Sequence, residues 1–322
     1  MLNKTQQFAI GVDIGGTGTK YGVVNHRGII TYKGELPTNK FEEVGDFVTA
    51  LFTALAPAIE TIGKKNIKGI GIGAPNGNFY TGTIDYAPNL HWKGVIPLAK
   101  LITEQFGIRC SLTNDANAAA VGEMNYGAAR GMKDFIMITL GTGVGSGIVA
   151  NGELIYGHDG FAGELGHTVI RPGGRKHWST GLDGSLEAYA SATGIALTAQ
   201  EMLISQATPS TLRQYKPEEI DSKKIYECAI NGDAIAREVY NYTGQILGEA
   251  LANFIMFSSP EAIILFGGVI KAGDLILQPT KEHMEKSLLP IFQNKIKLIF
   301  SELKEADAAI LGASALAWEM RD

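Results

Sequence analysis

Phe8–Asp13 alternates in the manner of a strand, a run of glycine and threonine follows, and the strand pattern resumes at Tyr21–Asn25 and, past a turn at His26–Gly28, at Ile29–Tyr32. Strands joined by such short polar turns predict a β-meander. More than a hundred residues later the plan recurs as Phe135–Leu140, a second glycine run, Gly147–Ala150, the tight turn Asn151–Gly152 and Glu153–Tyr156. The chain therefore carries an internal duplication. Between the copies, apolar residues at helical spacing predict helices over Val44–Ile62 and Ile96–Phe106, and Ala116–Tyr126 reads as an alanine-rich helix. Ile67–Gly73 and Arg109–Thr113 read as strands. Beyond residue 186 the pattern is mostly helical, broken by a strand at Ala262–Leu265 that ends on Gly267–Gly268, and a last helix covers Ala308–Met320. Strands followed by helices make this an α/β protein.

With 322 residues, 45% hydrophobic and 19% charged, the chain can bury a large core, and two domains are the default for its length. The expected division is 1–113 plus about 307–322 as a smaller domain and 114–306 as a larger one, with a cleft between them, because no low-complexity linker separates the halves. A net charge of −5 offers no basic footprint for nucleic acid and no polybasic anchor for a membrane, which points to a small-molecule partner. No run of about 18 apolar residues and no signal-peptide pattern is present, so a cytoplasmic location is expected. Cys110 and Cys228 are too few and too far apart for a disulfide framework or a CxxC metal site. A homodimer is the default assembly.

The 40 glycines cluster at 15–18, 71–77, 141–147, 157–166 and 267–268. A hairpin closes with about two residues, and these runs are longer. Backbone N–H groups with no Cβ in the way suit polyphosphate oxygens. Gly15, Gly16, Thr17, Gly18, Thr19 and Lys20 in the first copy, and Gly141, Thr142 and Gly143 in the second, are the candidates, with Thr17 and Thr19 adding hydroxyl donors. The turns join strand to strand and contain no GxxxxGK[ST], which argues against P-loop and Rossmann assignments. Asp13 occurs in the first copy, whereas Leu140 holds the corresponding place in the second. A carboxylate beside phosphate-binding amides repels its ligand unless a cation stands between them, so Asp13 is a candidate for holding hydrated Mg²⁺; a turn-capping role is the other reading.

Several segments, in order, resemble one family: DIGGTGTK at 13–20, NDANAAA at 114–120, GTGVGSG at 141–147, GELGH at 163–167, LEAYAS at 186–191, LFGGV at 265–269 and AILGAS at 309–314. The chain is similar to the ROK family of sugar kinases and repressors over nearly its whole length. The resemblance implies the actin-like, hexokinase-like ATPase fold, a two-domain arrangement with a duplicated RNase H-like core. It implies ATP with Mg²⁺ as cofactors and Asp115 as the base that accepts a sugar hydroxyl's proton. From position alone, Asp115 also reads as an N-cap. Asn89, Asn114, Glu164, His167 and Glu187 match the family's sugar-binding positions, and Gly267 and Gly268 its adenosine site. Gly312 either borders the nucleotide or packs a helix.

In many members the segment after Gly-His carries three cysteines that bind zinc with that histidine. Here it reads HWSTGLDGSLE at 177–187, with Trp178, Thr180 and Ser185 where cysteines would stand. Without thiolates no zinc is expected, and the loop 168–186 must be ordered by packing of Trp178 or by hydrogen bonds. The family's repressors carry a helix-turn-helix ahead of the first phosphate turn, and with a dozen residues before Asp13 none is expected here. The expected function is ATP-dependent phosphorylation of the 6-hydroxyl of glucose. Mannose, fructose, N-acetylglucosamine and N-acetylmannosamine remain alternatives, as does a non-catalytic sugar sensor.

Overall fold

A computed structural model describes residues 7–320. The first glycine turn joins β1 (Phe8–Ile14) to β2 (Thr19–Asn25), and β3 (Ile30–Leu36) completes the predicted meander. Helix α1 (Val44–Ile62) leads back to β4 (Ile67–Gly73), which lies parallel to β1. Three short strands, β5 (Gly77–Asn78), β6 (Thr83–Asp85) and β7 (Val95–Ile96), form a small sheet of their own. They precede α2 (Leu98–Phe106), β8 (Cys110–Thr113) and α3 (Asp115–Tyr126), with β8 parallel to β4.

The second copy runs through β9 (Phe135–Leu140), β10 (Val144–Ala150) and β11 (Glu153–Leu154). Helices α4 (Glu187–Ala190), α5 (Ala192–Ser205), α6 (Ser222–Ile230) and α7 (Ala234–Ser258) follow, then β12 (Ala262–Phe266), α8 (Asp274–Ser287), β13 (Lys297–Phe300) and α9 (Glu305–Glu319). The two five-stranded sheets have the orders β3-β2-β1-β4-β8 and β11-β10-β9-β12-β13. The duplication thus extends beyond the meanders to the two parallel strands added at one edge of each.

The described chain divides into two compact units. The first comprises the chain up to Met132, Gly147–Gly163 and the chain from Ser301. Its core lies on one face of the β1–β4 sheet, where Phe47, Val48, Leu51, Leu55 and Ala58 of α1 meet Ile10, Val12, Ile70 and Ile72. By length and composition α1 could cross a membrane, yet its apolar stripe is spent on this core. On the opposite face α9 approaches β1 and β4 at backbone distance. A Cβ on Gly11 would lie 2.1 Å from the Ile310 carbonyl oxygen, and one on Gly71 would lie 1.9 Å from that of Ala313.

Helix α9 also packs on α3 through glycines, since a Cβ on Gly122 would lie 2.7 Å from the Gly312 Cα. Gly312 is therefore a helix-packing residue. The same contact groups α3 with the first unit, whereas the sequence division placed it after the boundary at 113.

The second unit comprises Lys133–Ser146 and Glu164–Phe300. Its parallel strands β9, β12 and β13 are accompanied by α7 and α8, which pack against each other where Gly244 and Gly248 leave room for Pro279, Thr280 and Met284.

Candidate functional site

In the first unit the candidate residues gather at the carboxyl ends of parallel strands, where α/β sheets present their ligand sites. Register places Asp13 of β1 beside Gly73 of β4, and Gly73 beside Thr113 of β8. The next two residues are Asn114 and Asp115. Asn114 is the N-cap of α3, its side-chain oxygen accepting the Asn117 N–H at 2.7 Å. Asp115 is thus not the cap. It opens the helix, exposed, with Oδ1 accepting the Ala116 N–H at 2.8 Å.

Gly73 leaves space between the two carboxylates: a Cβ there would lie 3.6 Å from both Asp13 Oδ1 and the Asp115 Cα. Burial, and secondarily the charge of Asp115, push Asp13 up to about 6, against the pull of Lys20. Lys20 stands opposite Asp13 across the β1–β2 pair. Surrounding protein also raises Asp115 above the ordinary carboxylate range, with the Ala116 N–H acting in the other direction; water reaches the Asp115 side chain and moderates the shift.

The first glycine turn is closed by the Gly15 N–H donating to the Gly18 carbonyl at 3.0 Å, and Thr17 and Gly18 are exposed. The backbone of Asn89 lies against Gly16, where a Cβ would meet the Asn89 carbonyl oxygen at 2.5 Å. One expectation is corrected here. Thr19 is fully buried and its hydroxyl pairs with that of Thr38 at 2.8 Å, so it offers no hydroxyl to a phosphate. As the first residue of β2, paired with Ile14, it points into the sheet's packed face.

The second unit repeats the geometry. Thr139 of β9 lies beside Phe266 of β12, so the turn at Gly141 and the glycines at 267 and 268 follow from neighbouring strand ends. Gly267 has φ +109°, and a Cβ there would lie 2.5 Å from the Leu140 carbonyl oxygen, which leaves glycine as the residue for the position. Gly268 faces open space. The second turn is closed by the Gly141 N–H donating to the Gly143 carbonyl at 2.9 Å, and the start of α5 holds it through the Ala192 N–H on the Gly141 carbonyl at 2.8 Å.

Glu187 reaches this turn. Its Oε2 accepts the Val144 N–H at 2.6 Å, and a Cβ on Gly143 would lie 2.5 Å from the same oxygen. Its Oε1 stands 2.7 Å from Nε2 of His177. Glu164 and His167 flank a short 3-10 turn with 3.9 Å between Oε2 and Nε2. Glu164 is exposed, while Nδ1 of His167 is buried without a hydrogen-bond partner.

Among the described residues no three His, Cys, Asp or Glu side chains converge as a metal site. The loop 168–186 is held by strand bridges, an ion pair and an arginine cluster. Short antiparallel bridges pair Val169 with Ser185 and Lys176 with Asp183, and Arg171 pairs with Glu249. The Arg175 guanidinium donates to the carbonyls of Ala188 and Gly194, to Thr198 and to Glu201, and lies over the Tyr189 ring at 4.6 Å. Trp178 is largely exposed, its ring 4.1 Å from that of buried His177. Sequence reasoning considered His177 only as a remote metal ligand beside His167 and did not connect it with Glu187. Its signal was its place at the head of the segment where the expected cysteines are missing.

A model of the ROK family matches residues 9–320. Glucokinase of Halalkalibacterium halodurans is 38% identical over 320 residues, spanning 97% of this chain and 95% of the relative. Glucokinase of Thermotoga maritima is 33% identical over 310 residues, spanning 95% and 96%. Among solved structures, a ROK family glucokinase from Streptomyces griseus in complex with glucose and AMPPNP superposes with a TM-score of 0.78 at 31% identity, covering 97% of this chain and 100% of that one.

Proposed function

The chain belongs to the ROK family and is an ATP-dependent sugar kinase, and we propose that the hydroxyl it phosphorylates is the 6-hydroxyl of glucose. The observation that carries the chemistry is the row Asp13–Gly73–Thr113, followed after the cap residue Asn114 by Asp115: a carboxylate of raised pKa just past the carboxyl end of a strand, at the head of a helix. Phosphoryl transfer needs clamped phosphates, neutralised charge and a carboxylate that takes the hydroxyl proton. In this reading Asp115 is the base. Gly15 and Gly141 shape the two turns, their N–H groups bonded within them, and the N–H groups of Gly16, Thr17, Gly18, Thr142 and Gly143, together with Lys20, receive phosphate oxygens. Asn89, Asn114, Glu164, His167 and Glu187 bind sugar hydroxyls, and Gly267 and Gly268 border the adenosine. The glucokinases of H. halodurans and T. maritima support glucose as the sugar.

Asp13 is the residue that would hold Mg²⁺, through water. Its carboxylate is pushed up to about 6 by burial and by Asp115, a negative site short of positive charge, and the missing Cβ of Gly73 leaves room beside it. When bound, Mg²⁺ neutralises the charge of the transferring phosphates.

A pH dependence follows. Both carboxylates must be ionised, and both are raised above the ordinary range, so kcat/KM is expected to fall as pH drops through about 6, where Asp13 takes up a proton. Raising Mg²⁺ should move this acid limb to lower pH, because a cation favours ionised Asp13. An acid limb indifferent to Mg²⁺ in an ADP-release assay would remove Asp13 from the metal role.

The substrate is tested by the same assay across glucose, mannose, fructose, N-acetylglucosamine and N-acetylmannosamine. Glucose is expected to give the highest kcat/KM. A higher value for an acetamido sugar would transfer the assignment to that sugar, and no turnover with any would favour a sensor.

A further inference from the structure

We infer that His177 is a positioning residue for Glu187, and that it sets sugar affinity through that carboxylate; this rests on the reading of Glu187 as a sugar ligand. The His177 ring is fully enclosed, and the Glu187 side chain is 14% exposed. A carboxylate so far removed from water needs a partner at each oxygen. Oε2 has the Val144 N–H at 2.6 Å, and Oε1 faces Nε2 of His177 at 2.7 Å.

The other side of the imidazole determines what Nε2 presents. Nδ1 accepts the Thr180 N–H at 3.1 Å, with the Ser179 N–H at 3.4 Å. A ring nitrogen that accepts carries no proton, so the proton of the neutral ring resides on Nε2, toward Glu187. The pair is a close polar contact in which Nε2 makes no aligned hydrogen bond. It therefore fixes where the carboxylate sits without using up the lone pairs that a ligand hydroxyl would approach.

The imidazole is in turn fixed by its own loop. The His177 N–H donates to the Leu182 carbonyl at 2.8 Å and its carbonyl accepts from Gly181, closing a tight turn around the ring, while Trp178 packs on its face. Zinc does not fit here: Trp178, Thr180 and Ser185 supply no thiolate, and no three candidate metal ligands converge among the described residues. His177 ties this loop to Glu187, and Glu187 ties it to the second glycine turn at Val144, so a single buried ring sets the position of a ligand carboxylate without a metal ion.

The test is a double-mutant cycle on the full chain, read by sugar KM, ATP KM, kcat and thermal melting. His177→Ala should raise the sugar KM about tenfold, the penalty for leaving a buried carboxylate oxygen unpartnered, with kcat and ATP KM changed much less. His177→Gln, which returns an N–H donor, should recover most of the loss at an unchanged melting temperature. In a Glu187→Gln background, His177→Ala should add nothing further. The inference is overturned if the two substitutions act independently, if His177→Gln behaves like His177→Ala, or if elemental analysis finds one zinc per chain. It is overturned as well if Glu187→Gln leaves the sugar KM unchanged. Failure of the kinase reading is seen separately, as absence of sugar-stimulated ADP release by the unmodified protein.

Discussion

Asp115→Asn is expected to lower kcat by a factor on the order of 10²–10⁴, the usual contribution of a positioned acid or base, while sugar still binds. The isostere keeps an oxygen for the Ala116 N–H and leaves the Asn114 cap untouched, so the start of α3 should be preserved. What it removes is the anionic acceptor. The surrounding protein makes Asp115 more basic than an ordinary carboxylate, even with water reaching its side chain, and a base nearer the operating pH is a better proton acceptor as the hydroxyl attacks. The measurement is steady-state ADP release beside calorimetric titration with sugar. A kcat within a few-fold of the unmodified protein would take the base role from Asp115, and lost sugar binding with intact turnover would make it a ligand.

Gly71→Ala should cost about 3 kcal/mol or more of stability, at or beyond the upper end of typical overpacking. The added Cβ would sit 1.9 Å from the Ala313 carbonyl oxygen and 3.1 Å from the Leu316 Cβ, and the first of these is backbone, which no rotamer change can clear. Either β4 or α9 must shift. Because β4 carries Gly73, the shift also disturbs the row between Asp13 and Thr113. The melting temperature should fall by roughly 5–10 °C. Gly45→Ala is the control: near the start of α1 it meets no atom within 4 Å, and helix propensity predicts a small gain of up to about 1 kcal/mol. Equal melting temperatures for the two variants would show that α9 does not rest on β4 as described.

Much of this molecule was legible in the sequence. Each meander is local: alternation sets the strands, glycine and Asn-Gly mark the turns, and α1 ends where its pattern ends, at Ile62. The paired glycine turns and the unmatched Asp13 needed no partner to be recognised. Other features are decided by what lies across from a residue. Asn114 and Asp115 are both acceptable N-caps, and the backbone bend that separates them is set by how β8 docks on β4. Thr19 reads as a phosphate donor until register turns it toward Thr38. Strands of two to four residues, such as β5 and β13, are too short to show a period and exist because neighbouring strands supply their hydrogen bonds.

The sequence by itself determined the duplication, the α/β class, the two glycine turns and the residues that match the family's motifs, because each is written in short-range periodicity or in residues adjacent along the chain. The tertiary structure decided which glycines touch a helix backbone, which helix packs with which unit, and that a histidine in an unremarkable loop becomes the buried neighbour of Glu187. Burial and contact between residues far apart in sequence depend on what covers a side chain, and that is settled only when the elements pack.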